Sequence, residues 1–502
     1  MKPMPTPLRL LSLLFLLVFS TAGRAAVTPN PLFSDNAVLQ EETPIPVWGV
    51  AKEGEKISVT LDGQSASTTA KDGKWKLMLP AHKAGGPYDL TISGENTNTI
   101  TNVLVGEVWV CSGQSNMEFP LSRVTNAAAE IASASYPMLR MFSVARRISA
   151  NPQEEVVGKW AVCTPAAAPG FSAIGYFFGH DLVKARSVPI GMIHSSWGGT
   201  PAQAWTSFSG LSKDPSLKVY VDQLRNAVVD FMKNLEAYRT ALAGYHPNPA
   251  GVPSGPPWPA DLPPSGPRSP FENNGLPTIL YNGMIAPLQP YAIRGVIWYQ
   301  GEANNGQAKL YQTLFPAMIA DWREKWGRGD FPFLFTQIAP WTGMSPEIRE
   351  AQFLTLGKST NTAMAVTTDV GNAADIHPTQ KEPVGQRLAL AARALAYGEK
   401  IEYSGPLYQS LKIEGSNAVV SFTHTGSGLM AKDGDLRGFT IGGTNGQFLP
   451  AKAAIAGETV VVSAAEVTAP TAVRYGWTNV PDVNLWNKEG LPASPFRTDS
   501  AP

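Results

Sequence analysis

Short stretches of alternating apolar and polar residues dominate the first hundred residues of the chain. The clearest cover residues 45–50, 56–61, 75–79 and 88–93, and Gly, Asn and Asp separate them. Alternation with a period of two predicts half-buried strands, and the separating residues are typical of turns. Strands at this spacing predict a small β-sandwich over residues 26–105.

From Gly106 onward, apolar strand-like runs alternate with helical periodicity. The strand-like runs cover residues 108–110, 190–194, 294–299, 333–338 and 363–368. Helical patterns cover residues 173–186, 308–326, 345–358 and 384–397. This alternation predicts an α/β domain over residues 106–400, a doubly wound and mostly parallel sheet with helices on both faces.

An insertion over residues 206–278 interrupts that alternation. Residues 216–242 have apolar positions near helical spacing and predict an amphipathic helix that faces the core. The next stretch, residues 246–270, is rich in Pro and Gly and predicts an irregular linker or a rim over a site. After Gly405 the strand pattern returns, which predicts a second β-sandwich-like module over residues 405–502.

The first 25 residues have the pattern of a signal peptide. Lys2 and Arg9 precede a short apolar run over residues 10–19, and small residues precede a predicted cleavage before Ala26. The run is too short for a membrane-spanning helix, and no later run is long enough. No cysteine follows the cleavage position, so a lipid anchor is not expected there. The pattern predicts a secreted or periplasmic protein.

Charge and cysteine content narrow the classes of partner. The 40 Lys and Arg residues balance 40 Asp and Glu residues, which argues against a nucleic acid or an anionic membrane as partner. The two cysteines are Cys111 and Cys163. An oxidising compartment permits a bridge between them, although Cys111 is expected to be a small core residue. No metal-binding spacing is present among the histidines, so no metal is expected.

The apolar run 108–110 ends in small polar residues, among them Gly113 and Ser115. A serine at a sharp turn after a buried strand has the position that a nucleophile needs. The same residues could form an ordinary Gly-Ser turn. Met117 stands where the Gly-x-Ser-x-Gly elbow needs a second glycine, which disfavours an α/β-hydrolase.

Polar clusters follow three further predicted strands. The first contains His194 and the pair Gly198-Gly199, the second contains Gln300, Glu302 and Asn304, and the third contains Asp375 and His377. Each has a structural alternative: a strand-to-helix turn, a core histidine at position 194, a Gln–Glu pair that ties a loop, or a surface Asp/His turn. Four such clusters at the ends of strands favour a catalytic site over these alternatives.

Four blocks carry a resemblance to a known family: Gly-Gln-Ser-Asn-Met from Gly113, Trp-Gly-Gly-Thr from Trp197, Trp-Tyr-Gln-Gly-Glu from Trp298 and Asp-Ile-His-Pro from Asp375. Together they resemble the SGNH hydrolases, in particular the branch similar to sialate O-acetylesterases. The segments at residues 38–40, 73–75 and 84–88 resemble the N-terminal β-domain of that branch.

The resemblance implies roles for individual residues. Ser115 would be the nucleophile and His377 the general base, with the Ser115 backbone N–H and Gly199 in the oxyanion hole. Gln300 would be the third oxyanion donor, with Asn304 in reserve, and Glu302 would orient its neighbours. The superfamily usually places its aspartate three residues before the histidine. That position is Ala374 here, so the expected acid is Asp375.

The expected function is that of a secreted or periplasmic carbohydrate O-acetylesterase that works through an acyl-serine without any cofactor. Its expected substrates are acetylated sialic acids or acetylated plant polysaccharides such as xylan or xyloglucan. The alternatives are a non-catalytic carbohydrate-binding protein and a lipase or thioesterase of the same superfamily. The sequence makes no prediction of the oligomeric state.

Overall fold

The structure is a computed structural model that describes residues 26–244 and 265–499. The predicted signal peptide and most of the Pro-rich stretch 246–270 lie outside the described residues. None of the helices in the described ranges combines the length and the apolar character needed to cross a bilayer.

The N-terminal region consists of strands, including the four that alternation predicts. They are β1 (Thr28–Pro29), β2 (Val38–Gln40), β3 (Ile45–Val50), β4 (Lys56–Leu61), β5 (Gln64–Thr69), β6 (Lys74–Leu79), β7 (Gly85–Ser93) and β8 (Thr97–Gly113). Strands β1, β3 and β6 form one antiparallel sheet, whereas β2, β4, β5 and β7 join the large sheet through β8.

Strand β8 is 17 residues long and belongs to both the N-terminal and the central region. Its first half pairs with β7 in antiparallel orientation, and its second half pairs with two parallel neighbours. Every residue from Val103 to Gly113 is buried, because this part of the strand is covered on both faces. The predicted boundary between residues 105 and 106 therefore lies inside a continuous strand and a continuous hydrophobic core.

The central sheet adds six strands to β8. They are β9 (Tyr136–Ser143), β10 (Trp160–Cys163), β11 (Ile190–Ser196), β12 (Gly295–Tyr299), β13 (Phe333–Thr336) and β14 (Thr362–Ala365). Their order across the sheet is β10-β9-β11-β8-β12-β13-β14, and only β10 is antiparallel to its neighbour. From β8 the chain first builds the side that contains β11 and then the side that contains β12. The order of the strands therefore reverses at β8, where open α/β sheets bind their ligands.

Helices pack on both faces of this sheet. They are α1 (Ser115–Glu118), α2 (Ala127–Ser133), α3 (Ala173–Arg186), α4 (Phe208–Ser212), α5 (Lys218–Ala243), α6 (Ala308–Trp326), α7 (Pro346–Thr355) and α8 (Glu382–Leu395). Trp109 of β8 contacts Phe178 of α3, with ring centroids 5.0 Å apart. Trp298 of β12 contacts Trp322 of α6, with ring centroids 5.7 Å apart. Trp298 is in register with Ser112, three residues after Trp109, so the Trp298 and Trp109 side chains lie on opposite faces of the sheet. The prediction of an α/β protein with a mixed sheet and helices is confirmed.

Helix α5 differs from its prediction. Its first turns pack on the core through Val221, Leu224 and Ala227. Farther along, Val229 is 58% exposed and Met232 is 55% exposed, so the prediction of a core-facing helix is wrong beyond the first turns. Helical periodicity predicts an apolar stripe, but it does not show whether another element covers that stripe.

The C-terminal region consists of strands around a hydrophobic core of its own. They are β15 (Leu407–Glu414), β16 (Asn417–Thr423), β17 (Leu429–Ala431), β18 (Phe439–Gly443), β19 (Phe448–Pro450), β20 (Lys452–Ala456), β21 (Thr459–Ser463), β22 (Pro470–Tyr475), β23 (Leu485–Asn487) and β24 (Phe496–Arg497). Two four-stranded sheets and one two-stranded sheet result. Polar contacts join this region to the central one, such as the two hydrogen bonds from Arg497 to Glu350 at 2.7 and 2.8 Å.

A buried carboxylate fixes the start of the parallel part of β8. The Glu107 side chain is fully buried and accepts two hydrogen bonds from Arg294, at 2.6 and 2.8 Å. The Gln40 amide donates to the same carboxylate at 2.9 Å and accepts the Val108 N–H at 2.9 Å. Burial and the proximity of Glu107 raise the pKa of Glu41 to about 7. A raised pKa favours the neutral form of Glu41. Arg294 thus balances the charge of Glu107, the carboxylate to which it donates both hydrogen bonds.

We expect Arg294→Met to destabilise the protein by about 3 kcal/mol, because it leaves the Glu107 carboxylate buried without its cation. The matched control is Arg225→Met, which removes an exposed arginine that lies 3.6 Å from Asp222 and should cost less than ~1 kcal/mol. Urea unfolding followed by tryptophan fluorescence measures both variants. Equal midpoints for the two variants would contradict the dependence of the buried Glu107 carboxylate on Arg294.

Candidate active site

Ser115 lies at the turn where β8 ends and α1 begins. Gly113 has φ +139°, and a Cβ atom there would lie 2.1 Å from the Tyr299 carbonyl oxygen, so the turn requires glycine. The Gln114 N–H donates to that carbonyl at 2.9 Å. Through these contacts β12 holds the turn in place. The Ser115 hydroxyl is thereby presented at the carboxyl end of the sheet.

His377 lies in the loop between β14 and α8. Its Nε2 atom is 2.8 Å from the Ser115 Oγ atom, within the reach of a base that accepts the serine proton. In that arrangement the imidazole proton resides on Nδ1. Burial lowers the pKa of His377, which favours the neutral form that a general base needs. The structure therefore brings these two residues together, and their catalytic roles stay a prediction.

The two candidate acids occupy different surroundings. Asp375 Oδ1 accepts the His377 backbone N–H at 2.9 Å and lies 3.6 Å from Nδ1, longer than a hydrogen bond. Asp369 instead forms a bidentate pair with Arg387, with both contacts at 2.7 Å. Asp375 is thus the carboxylate beside the imidazole, although its side chain is 54% exposed. Its role as triad acid stays a prediction.

The Gly198-Gly199 pair packs against the serine turn. A Cβ atom on Gly198 would lie 3.1 Å from the Ser115 Cβ atom, and Gly199 has φ +74°. The Gly198 N–H donates to Glu118 Oε2 at 2.9 Å and is therefore not free. Within residues 26–244 and 265–499, neither the Ser115 nor the Gly199 N–H donates to a protein acceptor. Both N–H groups are therefore available to donate to an oxyanion, as the donors of an oxyanion hole must be.

Gln300 and Asn304 are both fully buried and bonded to protein. Gln300 Nε2 donates to Asn304 Oδ1 at 2.7 Å and to the Thr200 carbonyl at 3.3 Å, while Tyr311 of α6 donates to its Oε1 at 3.0 Å. Gln300 lies two residues after Trp298, so its side chain points toward α6 as that of Trp298 does. Both N–H bonds of Gln300 are used inside the protein, and this geometry does not favour its predicted role as third donor.

Asn304 is bonded in a similar way. Its Nδ2 donates to Gln203 Oε1 at 2.9 Å, and its Oδ1 accepts the Ala202 N–H at 2.9 Å as well as the Gln300 amide. These bonds tie the loop after β12 to the loop after β11. Asn304 therefore supports the loop that contains Gly198 and Gly199. Because its amide is bonded inside the protein, this geometry does not favour Asn304 as the alternative oxyanion donor either.

Glu302 belongs to a group of buried polar residues beneath Ser115 and His377. Its Oε1 accepts from Asn116 Nδ2 at 2.6 Å, and Lys381 donates to Asn116 Oδ1. The sequence analysis missed Asn116 and Lys381. Asn116 follows the candidate nucleophile directly and stands inside the first block, a signal that could have identified it. Lys381 gives no comparable signal, because a lysine at the start of a helix is usually exposed.

His194 is half-buried, and its Nε2 atom lies 2.5 Å from the Ser196 Oγ atom, which fits the structural alternative better than a catalytic role. Its ring lies against Phe171, and burial lowers the pKa of His194 to about 4. Cys111 and Cys163 are both buried and free, so no bridge joins them. Over the described ranges, no group of three or more His, Cys, Asp or Glu residues is arranged to hold a metal ion.

We expect Asp375→Asn to move the acid limb of the kcat/KM profile for ester hydrolysis to lower pH. The Asp375 carboxylate raises the pKa of His377, so its removal lowers that pKa and leaves the imidazole neutral at lower pH. The cost in kcat should be about tenfold, less than in a hydrogen-bonded triad. Asp369→Asn is the control and should leave the acid limb in place. An unchanged limb in Asp375→Asn would exclude this carboxylate as the partner of His377.

Comparisons with known proteins identify the family of the chain. A family model described as "Carbohydrate esterase, sialic acid-specific acetylesterase" matches residues 271–394, a segment that contains Glu302 and His377. The sialate O-acetylesterase of Rattus norvegicus is 30% identical over 548 residues and covers 98% of each chain. That of Homo sapiens is 31% identical over 520 residues, covering 92% of this chain and 91% of its own.

The fold also matches that of a solved structure. A carbohydrate acetylesterase from Xanthomonas citri is 39% identical, with a TM-score of 0.80, and the match covers 94% of this chain and 100% of that one. On the likeness over nearly its whole length, the chain belongs to the sialate O-acetylesterase family and is an esterase.

Proposed function

We propose that the protein is a carbohydrate O-acetylesterase that forms an acetyl-serine intermediate on Ser115. The observation that carries this proposal is the 2.8 Å contact between His377 Nε2 and Ser115 Oγ at the carboxyl end of β8. A serine hydroxyl bonded to a neutral imidazole, beside two backbone N–H groups that donate to no acceptor in the described part of the chain, is the arrangement of acyl transfer.

In the first half of the reaction, Ser115 Oγ attacks the carbonyl carbon of the acetyl group while His377 Nε2 accepts the serine proton. The Ser115 and Gly199 N–H groups donate to the oxyanion that develops on the acetyl oxygen. The bond between the carbonyl carbon and the sugar oxygen then breaks. His377 returns its proton to that oxygen, and the deacetylated sugar leaves.

In the second half, a water molecule attacks the acetyl-serine carbonyl and gives a proton to His377. The ester bond to Ser115 breaks, the serine oxygen recovers the proton from His377, and acetic acid leaves and ionises to acetate in solvent. Desolvation and Lys381 lower the pKa of His377, which keeps the imidazole able to accept a proton at both attacks.

The sheet supports an SGNH-type assignment of the central region. Six of its strands are parallel, helices α3 and α6 lie on opposite faces, and the candidate residues follow strands β8, β11, β12 and β14. In this proposal the N-terminal and C-terminal strands form β-sandwich-like modules that flank the catalytic region.

The surroundings of Ser115 favour a polar substrate. Arg146 donates to Glu118 at 2.9 Å, lies over the Trp197 ring at 5.3 Å and has a side chain that is 53% exposed. Charged groups and a partly exposed aromatic ring suit a sugar better than the long acyl chain of a lipase or thioesterase substrate. The curated relatives are sialate O-acetylesterases, and the Xanthomonas citri protein is a carbohydrate acetylesterase. We therefore propose an acetylated carbohydrate as substrate.

Export stays part of the proposal, because it rests on the signal-peptide pattern of residues 1–25. N-terminal sequencing of the protein from a secreting host tests it. A mature protein that begins at Ala26 would support export, and one that retains Lys2 and Arg9 would contradict it.

We expect Ser115→Ala to reduce kcat on 4-nitrophenyl acetate by roughly 10³-fold or more, because it removes the nucleophile. A serine-reactive phosphonate should label the wild type at Ser115 and should not label the variant. Ser133→Ala, an exposed serine at the end of α2, is the control and should keep wild-type turnover. Turnover near wild type in folded Ser115→Ala would rule out the acetyl-serine mechanism. Binding of glycans without any turnover by the wild type would favour the non-catalytic alternative.

Acetate release from acetylated sialic acids, xylan, xyloglucan and pectin then identifies the sugar. Efficient cleavage of at least one of these, and poor cleavage of long-chain acyl esters, supports the carbohydrate assignment. The reverse preference would favour a lipase or thioesterase.

A further inference from the structure

Lys381 is a buried lysine next to the catalytic pair. It immediately precedes α8, four residues after His377, and is only 1% exposed. Its ammonium group lies 4.8 Å from the Phe119 ring centroid and 5.5 Å from that of Tyr299. Its side-chain hydrogen bond goes to Asn116 Oδ1. A lysine is almost never buried this fully unless its charge has a specific partner.

Asn116 connects that lysine to both catalytic segments. Its Nδ2 donates to Glu302 Oε1 at 2.6 Å and to the Ile376 carbonyl oxygen at 3.0 Å. Lys381 can only donate, whereas an ionised carboxylate and a carbonyl can only accept, so the orientation of the amide is unambiguous. Asn116 follows Ser115 and Ile376 precedes His377. One amide therefore holds the nucleophile segment against the base segment.

Glu302 and Lys381 balance each other's charge across this amide. Burial raises the pKa of Glu302, and the Lys381 charge opposes that rise. Burial lowers the pKa of Lys381 to about 7, and Glu302 and Asp375 oppose that fall. Among the described residues, the second Glu302 oxygen is buried without a hydrogen-bond partner, so the carboxylate depends on Asn116 and on the lysine charge.

We propose that Lys381 is a positioning residue for His377, which acts through Asn116 and through its charge. The amide fixes the Ile376–His377 segment so that Nε2 meets Ser115, and the ammonium group disfavours a proton on the imidazole. This inference rests on the proposed role of His377 as the general base.

The direction of the charge effect follows from the groups that face each residue. Asp375, Lys381 and Arg123 face His377, while Glu302, Asp375 and Arg123 face Lys381. Lys381 and Arg123 lower the pKa of His377 and Asp375 raises it. On the acid limb of the pH profile Lys381 is protonated, so its removal raises the pKa of His377. The limb then moves to higher pH, opposite to the shift expected for Asp375→Asn.

The first test compares Lys381→Met with Lys381→Arg. The methionine variant keeps an unbranched apolar side chain but loses the charge and the donor. We expect kcat on 4-nitrophenyl acetate to fall at least ~10-fold with a smaller change in KM, because the loss affects alignment. Its acid limb should move to higher pH. The arginine variant keeps the charge and should retain the wild-type limb. The control Lys213→Met removes an exposed lysine and should change neither quantity.

The second test measures His377 without using activity. In the Ser115→Ala background, NMR titration of the labelled imidazole, assigned through His377→Ala, should show a higher pKa when Lys381→Met is added. This result would stand even if the esterase mechanism failed, and loss of activity in Ser115→Ala alone tests only that mechanism. An unchanged imidazole pKa together with an unchanged acid limb would overturn the proposal.

A third variant, in which Glu302 is also neutral, keeps the proposal testable if Lys381→Met does not fold. If Lys381→Met does not fold, the double variant Lys381→Met/Glu302→Gln removes both charges and keeps an acceptor for Asn116. We expect this variant to fold with the imidazole pKa still above that of the wild type. A wild-type imidazole pKa in the folded double variant would overturn the proposal.

Discussion

The pairing of the second half of β8 with β11 and β12 is the interaction on which the rest of the structure depends. The buried stretch from Val103 to Gly113 ends in five residues, Trp109 to Gly113, that have a parallel strand on each side and can be buried because helices cover both faces of the sheet. The same pairing places Tyr299 against Gly113, which forces the turn at Ser115. A structural requirement of the core therefore sets the position of the candidate nucleophile.

Each end of this parallel stretch carries a buried carboxylate linked to a basic side chain from another segment, directly in the case of Glu107 and through Asn116 in the case of Glu302. Glu107 and Arg294 lie at its start, while Glu302 and Lys381 lie beyond its end. An amide side chain accompanies each pair: Gln40 at the start and Asn116 at the end. Buried charges of this kind contribute little net stability, yet they strongly disfavour arrangements that separate the partners. The pairs thus specify which segments meet at β8.

Much of this arrangement follows from the sequence, and the limits have physical causes. Period-two alternation locates β3, β4 and β6, and the alternation of strands with helices predicts the class of fold. The proximity of Ser115 and His377 follows because the carboxyl ends of parallel strands share one edge. Alternation shows which residues of a strand share a face, but it does not show which element packs on that face. The contact of the Gln300 side chain with α6 therefore becomes evident only in the three-dimensional structure. The burial of Lys381 and the exposure of α5 depend on packing between distant segments, which no local pattern encodes.

The length of β8 also has a consequence for the order in which the chain can fold during synthesis. Its apolar residues are made long before the helices α3 and α6 that cover them and before the parallel partners β11 and β12. Ser115 and His377 are 262 residues apart, so the contact between this candidate pair cannot form until most of the chain has left the ribosome. A nascent chain therefore carries an uncovered hydrophobic strand for much of its translation, the kind of segment that chaperones bind. The C-terminal strands have a core of their own and can form that core last, after the candidate site is complete.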